Sequence, residues 1–304
     1  MKIIQGDCRE KLKELPDESV DCIVTSPPYW GLRDYGVKGQ LGLEKKITDY
    51  VNNLADIFDE CKRVLKKTGT AWLNIGDSYS SGLRTSTTNQ SLRGNKNYGV
   101  TRPPVDNSIK PKDLCLIPFR VALELQQRGW YVRSDIIWAK PNPMPESVRD
   151  RPTKSHEHIF LLSKSKNYYY DADAIREPTK TNSVNRGTFR GGGSYVNNNA
   201  FNNSNYKKPT DTGLEKKPSL LRNKRDVWKI TTKPYKEAHF ATFPKDLIEP
   251  CIKAGCPEDG VVLDPFAGSG TVGEVAQELQ KDFILIELNP EYIKLIEDRL
   301  HKLL

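Results

Sequence analysis

Short apolar runs alternate along this chain with longer segments in which apolar residues recur every three or four positions. Residues 20–24 and 261–263 are short, largely apolar runs, which are typical of buried strands. Residues 47–67 carry apolar side chains at helical spacing, and Thr68-Gly69 ends the pattern. This alternation predicts an α/β fold with an open, mostly parallel sheet and helices on both of its faces.

The same patterns predict the remaining elements. Strands are expected at 2–5, 70–75, 130–138, 158–162 and 283–286, and helices at 8–15, 114–127, 245–254, 271–279 and from 290. Because no helical pattern separates 130–138 from 158–162, these two strands are expected to pair antiparallel. The run Tyr168-Tyr169-Tyr170 is expected to end a strand rather than to form a stacking platform.

Two polar segments interrupt the alternation. Residues 80–112 hold six Lys or Arg against one acidic residue, and residues 176–229 hold twelve against four. Neither segment can bury much apolar surface, and basic segments of this kind suit contact with a phosphate backbone. For 80–112 a plain surface insertion is an equal alternative, whereas for 176–229 nucleic-acid contact is preferred. The expected organisation is one domain in two halves, 1–175 and 230–304, with the segment 176–229 between them.

The composition adds a class of partner and a compartment. The net charge of +8 and the pI of about 9.0 are compatible with a polyanionic partner, although a soluble basic protein without one is an even alternative. The six cysteines include no Cys-x-x-Cys pair, so reduced thiols are expected. No apolar stretch is long enough for a bilayer, and the N-terminus has no signal-peptide pattern. A cytoplasmic protein without membrane contact is predicted.

The first candidate site follows the strand predicted at 20–24 and reads Thr25-Ser26-Pro27-Pro28-Tyr29-Trp30. Its two prolines stiffen the loop and remove two backbone donors, which is expected to leave the loop carbonyls free as acceptors. A hydroxyl, acceptor carbonyls and two aromatic rings at the carboxyl end of a strand suit the capture of a flat, amine-bearing ring such as a nucleobase. Alone, such a motif is more often an ordinary stiff turn.

The second candidate site is the Gly-rich turn Asp-Pro-Phe-Ala-Gly-Ser-Gly-Thr at 264–271. It joins a predicted strand to a predicted helix, and its glycines allow a sharp turn close to a ligand. The three-glycine dinucleotide fingerprint and the P-loop lysine are both missing. Glu287 ends the next strand, where an acidic residue can accept hydrogen bonds from ribose hydroxyls. Together these features predict an adenosine-containing cofactor without a pyrophosphate.

At these two motifs the chain resembles the amino-directed DNA methyltransferases, which use S-adenosyl-L-methionine. The turn at 264–271 is similar to their cofactor motif, and Ser26-Pro27-Pro28-Tyr29 is similar to their catalytic motif. With the catalytic motif first, the order resembles the circularly permuted β group. Gly6-Asp7 and residues 239–244 fit further short motifs of that family. The resemblance implies a Rossmann-like methyltransferase sheet and double-stranded DNA as substrate. Residues 176–229 match no motif of the family, and their length and basic composition predict the target-recognition segment.

The resemblance also implies roles for individual residues. The catalytic set is Ser26, Pro27, Pro28 and Tyr29, in which Ser26 and the Pro27 carbonyl accept from the target amine and Tyr29 stacks on the flipped base. Glu287 would hold the ribose hydroxyls, and Asp7 would accept from the adenine amino group. The cofactor-binding set comprises Asp7, Phe243, Pro244, Asp264, Pro265, Phe266, Ala267, Gly268, Gly270, Thr271 and Glu287.

Several functional alternatives stay open. Serine in the first position of the catalytic motif favours N4 of cytosine, and N6 of adenine is the alternative. A DNA-binding relative without activity and an RNA methyltransferase with a related Pro-Pro-Tyr motif are two more. Methylation at cytosine C5 needs a thiolate in a Pro-Cys loop. Pro250-Cys251 lies instead in a predicted helix, where a buried cysteine is expected.

No metal site is expected. His156 and His158 lie two residues apart on a predicted strand without further ligands nearby in sequence, so packing beside the base pocket is preferred. Residues 138–143 are expected to border that pocket without a catalytic role. A homodimer and a cognate restriction endonuclease are partners that the sequence leaves open, and the recognition sequence cannot be read from it.

Overall fold

The computed structural model of the protein describes residues 1–80, 106, 108–179, 221–232 and 243–301. The chain divides into two compact units, residues 1–174 with 225–304, and residues 175–224. Most of the two predicted polar segments, and residues 239–242 of the segment before the Gly-rich turn, lie outside the described residues.

Helices and strands alternate through the larger unit. The strands are β1 (Lys2–Gln5), β2 (Val20–Thr25), β3 (Leu65–Ile75), β4 (Tyr131–Ala139), β5 (His156–Ser163), β6 (Glu177–Pro178), β7 (Leu221–Arg222), β8 (Val227–Lys229), β9 (Val261–Asp264) and β10 (Asp282–Glu287). The helices are α1 (Cys8–Lys11), α2 (Ile47–Val64), α3 (Ile117–Gln127), α4 (Lys245–Gly255), α5 (Thr271–Glu278) and α6 (Pro290–His301). Two 3₁₀ turns cover Leu12–Glu14 and Asp173–Ile175, and β6 pairs only with β7, in the smaller unit.

The sheet of the larger unit is mostly parallel. Within the described residues it has eight strands in the order β1-β10-β9-β2-β3-β5-β4-β8. The first five of these strands are parallel neighbours, and β4 and β8 are parallel as well. β5 runs antiparallel to both β3 and β4. This confirms the predicted α/β fold with one antiparallel strand in a mostly parallel sheet.

Helices pack on both faces of this sheet, and its central strands are therefore buried on both sides. Ile23 of β2 belongs to the apolar cluster that contains Leu54 and Phe58 of α2. Its neighbour Cys22 points the other way, and a Cβ on Gly255 of α4 would lie 3.2 Å from the Cys22 sulfur. The continuous apolar run that predicted a buried strand is therefore explained by contacts on both faces. All six cysteines are buried and none forms a disulfide.

Several predicted boundaries differ from the structure for local reasons. α2 ends at Val64 rather than 67, because Leu65 is already extended and begins β3. α3 begins at Ile117 rather than 114, because Leu116 has left-handed backbone with φ of 57°. The segment predicted as one helix from 8 to 15 is a short helix followed by a 3₁₀ turn.

The prediction that the three tyrosines end a strand is wrong, because β5 already stops at Ser163. Tyr170 instead stacks on Trp72, with ring centroids 6.4 Å apart. Among the described residues, no helix is long and apolar enough to cross a membrane.

Candidate active site

The two motifs singled out in the sequence line one cavity of 720 Å³. They meet because β2 and β9 are parallel neighbours, with Ile23 paired with Leu263, so that the loops leaving their carboxyl ends emerge side by side. The cavity is lined by most of the predicted site residues: Asp7, Ser26, Pro27, Pro28, Tyr29, Phe243, Pro265, Phe266, Ala267, Gly268, Thr271 and Glu287.

A buried hydrogen bond ties the two motifs together. The Thr25 hydroxyl donates to Oδ1 of Asp264 at 2.6 Å, and the amide of Phe266 donates to the same oxygen at 3.0 Å. Burial raises the pKa of Asp264 to about 7, although the bonds from Thr25 and Phe266 oppose the rise and the charge of Glu287 adds to it. Oδ2 of Asp264 is buried without a hydrogen-bond partner among the described residues.

Glu287 holds the Gly-rich turn from the neighbouring strand. Its carboxylate accepts from the amides of Gly268 at 2.7 Å and Asn289 at 2.8 Å. Burial raises the pKa of Glu287, and these backbone bonds counter part of the rise. Gly268 has φ of 53°, and a Cβ built on it would face open space, with the Phe266 carbonyl as its nearest neighbour at 4.0 Å. The backbone of the turn is therefore exposed to the cavity at Gly268.

Three residues predicted to bind the cofactor do not line the cavity. Asp264 is turned toward Thr25. Gly270 faces α6, where a Cβ would lie 3.1 Å from Ile296, and its φ of 79° is the reason that glycine is needed there. Pro244 is buried at the N-terminal cap of α4. The structure therefore does not bring these three residues to the cavity surface with the other predicted ones.

Asp7 lines the cavity but is already engaged by Arg9. The Asp7 carboxylate caps α1 by accepting from the Arg9 amide at 3.0 Å, and it also accepts from the Arg9 guanidinium at 2.5 to 3.0 Å. Burial would raise the pKa of Asp7, but the hydrogen bonds and charge of Arg9 hold it below its usual value. Arg9 also donates to the Gly39 carbonyl at 2.6 Å. An adenine amine at Asp7 would therefore share this carboxylate with Arg9.

Hydrogen bonds hold the Ser-Pro-Pro-Tyr loop, and only part of its backbone is free. The Pro28 carbonyl accepts from the Tyr50 hydroxyl at 2.9 Å, so the expectation that all the loop carbonyls stay free is wrong at Pro28. No donor among the described residues reaches the Pro27 carbonyl. The Ser26 hydroxyl donates to the Tyr29 hydroxyl at 3.4 Å, and Tyr29 donates to Glu157 at 2.7 Å.

Several polar residues of the cavity were not assigned a role from the sequence. Three of them contact one another: Asn74 at the end of β3, Lys140 after β4 and Glu157 in β5. The Asn74 amide donates to Oε2 of Glu157 at 3.2 Å, and the Lys140 ammonium contacts Oε1. The Lys140 nitrogen also lies 4.2 Å from the centre of the Trp138 ring. Alternation along β5 was the available signal, because a residue between two same-face histidines points to the opposite face.

The two histidines of β5 pack beside each other as expected for strand spacing. Their rings lie 5.3 Å apart, and Nδ1 of His158 lies 2.9 Å from a carboxylate oxygen of Asp135. Neither histidine lines the cavity. In the part of the chain that the structure describes, no group of three His, Cys, Asp or Glu side chains could hold a metal ion. Of residues 138–143, Trp138, Lys140 and Asn142 line the cavity.

The comparison with known proteins agrees with this geometry. Residues 20–298 match the DNA methylase family of N6/N4 methyltransferases. The chain is 48% identical to the Type II methyltransferase M.SmaI of Serratia marcescens, over 98% of this chain and 90% of that protein. It is 47% identical to the Type II methyltransferase M.Cfr9I of Citrobacter freundii, over 98% of this chain and 87% of that protein. The chain belongs to the N6/N4 DNA methylase family.

Solved structures show the same fold as this DNA methylase. The PvuII DNA methyltransferase, described as cytosine-N4-specific, matches with a TM-score of 0.65 at 19% identity, over 98% of this chain and 85% of that one. A DNA modification methylase of Thermus thermophilus, complexed with S-adenosyl-L-methionine, matches with a TM-score of 0.60 at 21% identity. The match covers 99% of this chain and 95% of that one. The predicted resemblance is confirmed, and the methylase uses S-adenosyl-L-methionine as its cofactor.

Proposed function

We propose that this DNA methylase transfers a methyl group to the exocyclic N4 of cytosine in duplex DNA. The observation that carries this proposal is that Ser26 lines the same cavity as the Gly-rich turn and Glu287. Serine in the first motif position favours N4 of cytosine in proteins of this kind, and N6 of adenine is the alternative. The same cavity argues against a DNA-binding relative without activity, because both motifs are intact and face each other.

The residues that would hold the cofactor are those with open surface in the cavity. The exposed backbone at Gly268 leaves room for the methionine part, and Phe266 and Phe243 add apolar surface. The Glu287 carboxylate retains acceptor capacity for ribose hydroxyls, since each of its oxygens accepts one backbone amide. When bound, S-adenosyl-L-methionine supplies an electrophilic methyl group on a positively charged sulfur.

The task of the protein is to make an exocyclic amine nucleophilic. The nitrogen lone pair is delocalised into the ring, so the amine is a poor nucleophile. Two acceptors, the Ser26 oxygen and the free Pro27 carbonyl, can hold the two amine hydrogens and direct the lone pair out of the ring plane. This is catalysis by orientation and by fixed dipoles, without a covalent intermediate.

The amine is reached by flipping the base out of the duplex. Flipping costs a few kcal/mol, part of which stacking on an aromatic ring offsets. Tyr29 presents a half-buried ring to the cavity and is the proposed stacking surface. Duplex DNA is the proposed substrate, with residues 176–229 as the segment that reads its sequence. A role beside a cognate restriction endonuclease is proposed from the Type II methyltransferase relatives. A cytoplasmic location stays a prediction, and a homodimer stays open.

The test is direct analysis of the methylated base. The purified protein is incubated with methyl-labelled S-adenosyl-L-methionine and unmethylated phage DNA, and the nucleosides are then separated by mass spectrometry. We expect N4-methylcytosine. N6-methyladenine instead would overturn the choice of base and leave amine methylation standing, whereas no incorporation into DNA that contains a target site would overturn the enzyme itself.

Ser26→Ala should lower the methyl-transfer rate by about 100-fold or more, since one acceptor of the amine is lost. Ser19→Ala is the matched control, because the Ser19 hydroxyl donates to the Pro16 carbonyl in the loop before β2. The control should keep the rate of the unaltered protein.

A further inference from the structure

Glu157 is a charged side chain in the wall of the cavity, with only 12% of its side chain exposed. Three groups surround its carboxylate. Oε1 contacts the Lys140 ammonium, and Oε2 accepts from the Asn74 amide at 3.2 Å and from the Tyr29 hydroxyl at 2.7 Å. All three are hydrogen-bond donors, so the surroundings of Glu157 match an ionised carboxylate, which can only accept.

This acceptor decides the direction of the hydrogen bonds that end at Ser26. The phenol of Tyr29 has one hydrogen, and that hydrogen is committed to Glu157. The Tyr29 oxygen can therefore only accept from the Ser26 hydroxyl, which lies 3.4 Å away. The contact is long, as catalytic hydrogen bonds often are before the substrate is bound. With its own hydrogen directed to Tyr29, Ser26 presents its oxygen lone pairs to a target amine.

The Tyr29 ring packs closely against the backbone of Gly76. A Cβ on Gly76 would lie 2.6 Å from Cε2 of Tyr29 and 3.4 Å from Cγ of Glu157, so any larger residue at 76 would displace the ring. The backbone next to the ring is held as well, because the Pro28 carbonyl accepts from Tyr50. The phenol therefore stays within reach of Glu157.

We propose that Glu157 is a positioning residue for methyl transfer: through Tyr29 it directs the Ser26 hydroxyl hydrogen away from the target amine, so that Ser26 acts as an acceptor. This inference rests on the proposed role of Ser26 as an acceptor for the amine. Lys140 and Asn74 support the arrangement by keeping Glu157 surrounded by donors.

Glu157→Gln tests the direction of the hydrogen bonds from Ser26 through Tyr29 to residue 157, with little change in the shape of the side chain. Lys140 has no acceptor, so the new amide oxygen turns to Lys140 and the new amide NH₂ faces Tyr29. The phenol then accepts from residue 157 and donates to Ser26, whose hydrogen is turned toward the amine. We expect the single-turnover methyl-transfer rate to fall about 100-fold, with the Kd values for cofactor and DNA changed less than about twofold.

The double variant distinguishes this role from a merely structural one. Tyr29→Phe keeps the ring but removes the hydroxyl, which leaves the Ser26 hydrogen undirected, and we expect a loss of about 10-fold. Because Glu157 acts only through the phenol, Tyr29→Phe combined with Glu157→Gln should be no slower than Tyr29→Phe alone. Losses that multiply in the double variant would overturn the proposal.

A measurement without turnover tests the same hydrogen bond. In protein labelled with 3-fluorotyrosine, the ¹⁹F resonance of Tyr29 is identified as the one that disappears in Tyr29→Phe. We expect that resonance to move in Glu157→Gln and to stay in place in Glu60→Gln, the matched control, whose carboxylate pairs with Arg63 of α2. A Tyr29 resonance that ignores Glu157→Gln would overturn the proposal.

The outcomes separate this inference from the proposed function. If the unaltered protein transfers methyl groups to DNA and Glu157→Gln matches it in rate, the positioning role fails while the enzyme stands. If the unaltered protein transfers none, the proposed function fails, and the ¹⁹F comparison still decides whether Glu157 directs the phenol.

Discussion

At the residue scale, Asp264 is the group whose burial was least evident from its motif. In sequence it opens the Gly-rich turn and resembles a cofactor ligand, yet its side chain is fully buried between the two motifs. A carboxylate there accepts hydrogen bonds from Thr25 and Phe266, which favour the charged form. Burial removes it from water, and the free-energy cost of burying the charge exceeds the gain from these two bonds. The result is a pKa raised to about 7, which makes the stability of the protein sensitive to pH.

The sign of this sensitivity follows from proton counting. Between about pH 4 and pH 7 the folded state keeps the Asp264 proton while the unfolded state has released it, so the stabilisation is present at low pH and is lost as pH rises. Asp264→Asn cannot ionise and keeps an acceptor for Thr25. We expect the free energy of unfolding of the variant, relative to the unaltered protein, to rise by up to about 4 kcal/mol between pH 4 and pH 8.

Urea unfolding at a series of pH values measures this difference. Taking the variant against the unaltered protein at each pH removes the contribution of other groups, Glu287 among them. A difference that is flat with pH would show that Asp264 is ionised in the folded protein throughout this range.

At the scale of elements, the site is made by the pairing of β2 with β9. The two strands lie near opposite ends of the sequence, yet the bond from Thr25 to Asp264, which are 239 residues apart, joins their ends. This bond holds the Ser-Pro-Pro-Tyr loop next to the Gly-rich turn, and both of its residues are buried.

Thr25→Val removes that bond with little change of shape. Asp264 then loses a donor in a buried place, and we expect a loss of about 1–3 kcal/mol in the free energy of unfolding. The methyl-transfer rate should also fall, since the two loops lose their common anchor. Chemical unfolding and single-turnover kinetics measure the two effects.

Thr70→Val is the matched control for this prediction. Thr70 is likewise buried, and it donates to the Gly255 carbonyl of α4 at 3.2 Å, away from the cavity. It should lose comparable stability while keeping its methyl-transfer rate at temperatures well below the midpoint of unfolding. Equal rate losses in the two variants would show that the Thr25 bond has no specific effect on the site.

Much of the element level was predictable because it depends on local pattern. The apolar run of β2 and the helical spacing of α2 were found in the sequence, since burial on both faces leaves a continuous apolar run and burial of one stripe leaves helical spacing. The ends were not found where a backbone conformation decided them, as at Leu116 with its positive φ. Glu157 was missed because its partners lie on β3 and in the loops after β2 and β4, none of which a local pattern reveals.

At the scale of the whole molecule, residues 175–224 form a unit of their own. Its described part includes the ladder of β6 and β7, in which Glu177 pairs with Arg222 and Pro178 with Leu221. The Arg222 guanidinium also donates to the Glu177 carboxylate at 2.9 Å. Pro178 and Leu221 are therefore neighbours in this ladder, and a short linker can join the chain between them.

Replacing residues 180–220 by a short Gly/Ser linker tests target recognition. We expect site-specific methylation of mixed-sequence DNA to be lost, because most of the segment 176–229 that is proposed to read the sequence is removed. Thermal stabilisation by S-adenosyl-L-methionine should be kept, since the cavity belongs to the other unit. An unchanged methylation pattern, mapped by sequencing, would remove the recognition role from this segment.

The sequence by itself determined the fold class, the cofactor class and the two motifs of the site. Each of these depends on residues close together in the chain: the Ser-Pro-Pro-Tyr loop, the Gly-rich turn and the periodic runs around them. Only the tertiary structure decided what surrounds Ser26, because Tyr29, Glu157 and Lys140 come from different strands and loops and meet through the order of the sheet. Glu157, which lies 128 residues from Tyr29 in sequence, thereby becomes the acceptor for the Tyr29 hydroxyl. No local pattern in the Ser-Pro-Pro-Tyr loop could have shown that contact.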